Sequence, residues 1–104
     1  MQTEQASKIA QLNDTFRRKG DGVTITSGVQ MLEDLYGILE SVRWYSDFNE
    51  DNDPYGERDF GSFEWHGEKL FWKIDYYDAT LRYWCDPLDS KCRRLLTVML
   101  ASEY

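Results

Sequence analysis

The chain is poor in the residues that most often carry chemistry. Its 104 residues hold two cysteines and one histidine. Two cysteines are too few for a disulfide framework, and with His66 they fall short of a zinc ligand set. A Gly-rich phosphate loop, a Ser-His-Asp order and a nucleophile elbow are all missing. Glu64, Asp75, Asp78 and His66 are titratable groups suited to acid–base work, but His66 lies at a predicted hairpin turn, where an imidazole is usually only solvated. The expectation is therefore a protein that is not an enzyme and uses no cofactor. An apolar run of about 18 residues, the length of a membrane span, is also lacking. The N-terminal Met-Gln-Thr-Glu-Gln-Ala-Ser-Lys has no apolar stretch of the signal-peptide kind. A cytoplasmic location without membrane contact is expected.

Positive charge is scarce where it counts. Residues 46–89 carry twelve acids and four bases, whereas residues 1–45 carry six acids and five bases, and residues 90–104 one acid and three bases. The formal charge of −7 thus originates in the middle of the chain. Phosphate contacts need Lys and Arg, so direct nucleic-acid binding is not expected. A basic protein surface is the natural counterpart.

What is present is a core and an acidic ridge. Hydrophobic residues make up 41% and aromatics 15% of the chain, enough to exclude disorder and to build one domain over 1–104. Asp47, Glu50, Asp51, Asp53, Glu57 and Asp59 crowd around a single countercharge, Arg58. Asn52, Pro54 and Gly56 are turn residues, and Phe48 and Tyr55 are anchors. Asp53-Pro54-Tyr55-Gly56 is predicted to turn tightly, with Tyr55 and Phe60 holding the segment to the sheet so that the six carboxylates project together. The ridge is not an EF-hand, which needs Gly at position six and Glu at position twelve. Registers starting at Asp47, Asn49 and Asp51 place Asn52/Arg58, Pro54/Phe60 and Gly56/Ser62 there, so no metal site is expected.

Periodicity supplies the architecture. Ile9, Leu12 and Phe16 form one helical face that ends at Arg17-Arg18-Lys19-Gly20. Val23–Thr26 alternates as a short strand. Ser27 and Gln30 match a capping box, opening a helix striped by Leu32, Leu35, Tyr36, Leu39 and Val42, in which Gly37 marks a close packing contact. The period then falls to two: Trp44–Phe48, Phe63–Trp65, Leu70–Tyr77 and Leu81–Trp84 read as strands, with His66-Gly67-Glu68 as a hairpin turn. Asp86-Pro87 reads as the start of a last helix carrying Cys92, Leu95, Leu96 and Met99. That helix would put Cys92 about 9 Å along the axis from its cap, beyond the ~7 Å Cα separation a disulfide tolerates. The predicted fold is α+β, a two-layer sandwich in which an antiparallel meander is packed by about three helices, in the order α-β-α-β-β-β-β-α.

Three blocks carry a resemblance: Asp51-Asn-Asp-Pro-Tyr-Gly-Glu-Arg-Asp-Phe-Gly-Ser-Phe-Glu64, Phe71-Trp-Lys-Ile-Asp-Tyr-Tyr-Asp78 and Leu96-Thr-Val-Met-Leu-Ala-Ser-Glu-Tyr104, with Leu12-Asn-Asp near the start. Together they resemble a family of small bacterial proteins known only as a domain of unknown function and often encoded on plasmids and other mobile elements. Many of its members carry His at the position of Arg58. The resemblance implies no activity, only a setting: a small cytoplasmic accessory protein of mobile DNA.

Charge and setting together point to an acidic inhibitor that imitates nucleic acid. It would occupy a basic surface of a host protein or ribonucleoprotein complex, with an anti-CRISPR or anti-restriction effect. Asp47, Glu50, Asp51, Asp53, Glu57 and Asp59 would make the contact. The alternative is an interaction module or homodimeric adaptor whose anchors are the sheet-face rings of Trp65, Trp72 and Tyr77, with Tyr83 and Trp84 beside them. Either protein would be a monomer or a homodimer.

Overall fold

A computed structural model describes residues 3–104. Helix α1 (Glu4–Lys19) begins where the Thr3 hydroxyl accepts the Ala6 N–H, and it ends at Gly20 in the left-handed conformation, φ 76°. Its inward stripe is Ala6, Ile9, Ala10, Asn13, Asp14 and Arg17. Leu12, expected on that stripe, lies on the solvent side. The buried face of α1 is therefore polar over its second half.

Strand β1 (Val23–Ile25) leads into one turn of helix, α2 (Ser27–Gln30). The expected Ser27/Gln30 capping box does not form. Glu103, from the far end of the chain, takes that role: one carboxylate oxygen accepts the Thr26 hydroxyl at 2.6 Å and the other the Gly28 N–H at 3.1 Å. The predicted second helix is broken at Met31–Asp34 and restarts as α3 (Leu35–Arg43), where the Asp34 side chain accepts the Gly37 N–H. This break turns Ile38 and Val42 into the core and leaves Tyr36 and Leu39 exposed. Gly37 does mark a close contact, since a Cβ there would lie 2.6 Å from the Trp65 ring.

Strands β2 (Phe60–Trp65) and β3 (Glu68–Tyr77) form the predicted hairpin. Its turn residues His66 and Gly67 both have positive φ, 50° and 85°, as a primed two-residue turn requires. Strand β4 (Arg93–Leu100) pairs antiparallel with β3 and parallel with β1, giving the order β1-β4-β3-β2. The α+β class, helices packed over a sheet and the β2-β3 hairpin are as predicted, while the sheet has four strands and is mixed, since β1 runs parallel to β4. Three further segments differ from prediction. Trp44–Phe48 is irregular, and Leu81–Trp84 contributes only one bridge, Tyr77 to Trp84. The expected last helix is β4. Asp86 caps a turn instead, accepting the Leu88 N–H. An interior strand is apolar on both sides, so Leu95–Leu100 matches a helical pattern as well as a strand. Cys85 and Cys92 are free thiols in this arrangement, neither of them helical.

One face of the sheet presents Leu70, Trp72, Ile74, Leu96 and Val98 to Val29, Ile38, Val42 and Tyr45. Gly61 is required opposite Trp72, because a side chain there would strike the indole and the Tyr45 ring. The other face carries the Phe60–Phe71–Tyr104 ring cluster and the Lys73–Asp75 ion pair at 3.1 Å.

Candidate functional site

The acidic segment is the connection from α3 to β2, and it is built around Phe48. That ring packs edge-on against Tyr45 and Trp72, while the Arg17 and Arg58 guanidinium groups lie over it at 5.5 and 5.3 Å. Tyr55, the expected anchor, is 76% exposed, and Phe60 belongs to β2 itself. Phe48 anchors the segment because it sits closer to the core on the chain leaving α3.

From Phe48 the backbone is fastened by its own asparagines. The Asn49 side-chain oxygen accepts the N–H groups of Asp51 and Asn52, at 2.8 and 3.1 Å. Asn52 returns the contact, accepting the Asn49 N–H at 2.9 Å and donating to the Asp47 carbonyl at 2.7 Å. Side-chain amides substituting for backbone partners make the loop self-supporting. The predicted Asp53–Gly56 turn closes through Gly56 N–H to Asp53 carbonyl at 3.0 Å, and Gly56 has φ 72°. The Asp53 carboxylate then accepts the Arg58 N–H, steadying that residue at φ 56°.

The far end of the segment turns inward. The Glu57 carbonyl accepts the Asn13 amide, and the Asp59 carboxylate accepts the Tyr76 hydroxyl at 3.1 Å. Asn13 also donates to that hydroxyl and receives the Arg94 Nε–H at 2.7 Å. Burial raises the Asp59 carboxyl above the usual carboxylate value, with the Tyr76 bond pulling the other way. Burial also raises Glu57, and the charges of Asp59 and Asp53 add to it. Tyr76 is pushed well above a free phenol, first by burial and then by Asp59.

The six carboxylates consequently do not form one ridge. Asp47, Glu50 and Asp51 are exposed on the loop, whereas Asp53, Glu57 and Asp59 are half-buried and Asp53 and Asp59 are bonded inward. Arg58 is not their countercharge either: it pairs with Asp14 on α1 at 2.8 Å. The other oxygen of Asp14 holds Arg17 at 3.1 Å. Burial lowers the Arg17 guanidinium below its usual value, and Asp14 opposes that shift. The residues that position the loop, Asn13, Asp14, Arg17, Tyr76 and Arg94, were not among the sequence candidates. Their signal was present in the polar Asn13-Asp14 pair continuing the stripe of Ile9 and Ala10.

The aromatic candidates separate. Trp72 is 0% exposed and is a core residue, so it cannot anchor a partner. Trp65 is half-buried against Gly37 and donates its indole N–H to the Glu33 carbonyl. Tyr77 lies half-buried on the outer sheet face beside Trp84, and Tyr83 and Trp84 are the exposed rings. A hollow of about 280 Å³ beside the loop is lined by Phe48, Asn49, Glu50, Asp53, Pro54, Gly56 and Arg58. Among the described residues, no group of three or more His, Cys, Asp or Glu side chains is placed to hold a metal, and no helix is long and apolar enough to cross a membrane.

These features define an α+β protein with a side-chain-braced acidic loop. The chain belongs to the family described as Protein of unknown function (DUF3768), whose model matches residues 25–103. No curated protein and no solved structure matches it. Helix α1, with the Asn13, Asp14 and Arg17 supports, precedes the matched span.

Proposed function

We propose that this chain is a non-enzymatic acidic inhibitor that occupies a basic, nucleic-acid-binding surface of a host defence complex, with an anti-CRISPR or anti-restriction effect in a mobile-element setting. The observation that supports this reading is the braced loop. Asp47, Glu50 and Asp51 project from a backbone tied by the four Asn49 and Asn52 bonds. Carboxylates ordered before contact lose little freedom on binding, and negative charge on a fixed frame steers a basic partner.

Expression of the chain in cells with an active CRISPR or restriction system tests this. Wild type is expected to raise transformation by a targeted plasmid, and Asp47→Lys/Glu50→Lys/Asp51→Lys is expected to abolish the gain. Equal transformation with and without the chain would refute the inhibitor reading. Inhibition that survives the triple reversal would remove the loop from the mechanism. A second reading, an interaction module without mimicry, is favoured by the adjacent exposed rings of Tyr83 and Trp84. It predicts partner capture that survives high salt and fails in Tyr83→Ala/Trp84→Ala.

A further inference from the structure

We propose that the cavity where the last turns of α1 and α3 meet binds one small monovalent anion, of the halide or nitrate class, with the buried Arg17 guanidinium as its principal ligand. The cavity measures about 70 Å³, and Val23, Leu39, Val42 and Leu96 form its apolar walls. A single water needs about 10–15 Å³ of such space, so an ion as large as nitrate fits. The charged residues of the lining are Arg17 and Arg43. Arg17 is 2% exposed and, like every arginine, has five N–H groups to satisfy. Its Nη2 donates to Asp14 at 3.1 Å and to the Tyr45 carbonyl at 3.0 Å. Nε and Nη1 are buried and reach no acceptor among the described residues. The Phe48 and Trp72 rings, 5.5 and 5.0 Å away, give the charge π contact but do not replace those acceptors. Buried donors left unpaired are costly and call for a partner.

The balance of charge selects an anion over water as that partner. Asp14 is shared between Arg17 and Arg58, so one carboxylate answers two guanidinium groups. Glu40 stands 3.6 Å from Arg43. Arg18 stacks on Trp44 and joins no ion pair among the described residues. Lys19 and Asp21 line a separate hollow beside Leu12. Arg17, Arg18, Arg43 and Arg58 are thus served by two carboxylates, Asp14 and Glu40. The partial negative charges at the C-termini of α1 and α3 offset some of this excess, but no carbonyl there reaches Nε or Nη1. Apolar walls favour an ion that sheds its water cheaply, hence a halide or nitrate over phosphate or sulfate. The entrance is also defined. The Arg43 guanidinium lies against Gly20, where a Cβ would stand 2.7 Å from Nη2, and Arg43 and Leu39 are the part-exposed side chains of the lining. The site uses none of the exposed loop carboxylates, so it stands whether or not the inhibitor role does.

Replacing gluconate, which is too large for the cavity, by chloride at constant sodium and ionic strength tests the proposal on the full chain. Wild type is expected to broaden the chloride NMR line, with bromide and nitrate competing, and its Tm should rise saturably with chloride. Arg43→Gln, at a part-exposed position, should fold and bind chloride about tenfold more weakly, the loss of one charge-assisted contact. Arg17→Gln should lose the response altogether. Should that variant fail to fold, wild-type crystals grown in bromide decide the matter. One anomalous peak within hydrogen-bonding distance of Arg17 Nε or Nη1 is expected, and water alone at that place would overturn the proposal. Equal Tm in chloride and gluconate, or a chloride response unchanged in Arg43→Gln, would overturn it as well. A response to phosphate without one to chloride would refute the monovalent class.

Discussion

Asp14 holds Arg58 at 2.8 Å across 44 positions of chain while its second oxygen holds Arg17 at 3.1 Å. One carboxylate thus serves a buried guanidinium and a half-exposed one, and through them it docks the acidic loop on α1.

The two ion pairs of Asp14 should contribute unequally to stability. Asp14→Ala leaves Arg17, 2% exposed, as an uncompensated buried charge, at a cost of about 3–5 kcal/mol. Arg58→Ala removes a pair whose arginine side chain is 44% exposed, and it should cost only about 0.2–1 kcal/mol. Urea midpoints measure both. Equal losses would show that Arg17 is not dependent on Asp14.

The raised Asp59 carboxyl links stability to pH. An acid whose folded value lies above its unfolded one binds more protons when folded, so its contribution is intact at low pH and declines as pH rises through the window above the ordinary value of 3.8. Asp59→Asn keeps an acceptor for the Tyr76 hydroxyl and removes the charge. Its Tm should exceed that of wild type at neutral pH, with the difference closing below the usual carboxylate range. A constant difference across pH would contradict the assignment.

Packing at Gly61 should be intolerant. A Cβ there would lie against the Trp72 indole and 2.8 Å from the Tyr45 ring, and Trp72 is wholly enclosed. Gly61→Ala is expected to cost about 1–3 kcal/mol as an overpacked core position. An unchanged melting temperature would mean that the Tyr45–Trp72 pair can shift freely.

Loop order can be separated from loop charge. Asn49→Ala removes the acceptor for the Asp51 and Asn52 N–H groups without altering net charge. Amide exchange at those two positions should accelerate, inhibition should weaken, and global stability should fall by only about 0.5–1.5 kcal/mol per lost bond. Undiminished inhibition by a loosened loop would mean that charge alone suffices.

Much of this protein was legible locally. The Arg17-Arg18-Lys19-Gly20 stop, the His66-Gly67 hairpin, the alternation of Leu70, Trp72 and Ile74, and the Asp53–Gly56 turn are each set by neighbours in sequence, through backbone sterics and period-two burial. Tertiary structure decided the rest. Residues 93–100 are a strand because β1 and β3 both pair with it, which no local pattern states. The helix from Ser27 stops at Gln30 and a second starts at Leu35, where Asp34, at φ 61°, accepts the Gly37 N–H. The acidic segment looked like one ridge because charge is counted along the chain. Burial is decided across it, and Tyr76, Asn13 and Asp14 draw Asp59 and Arg58 inward, leaving Asp47, Glu50 and Asp51 to face solvent.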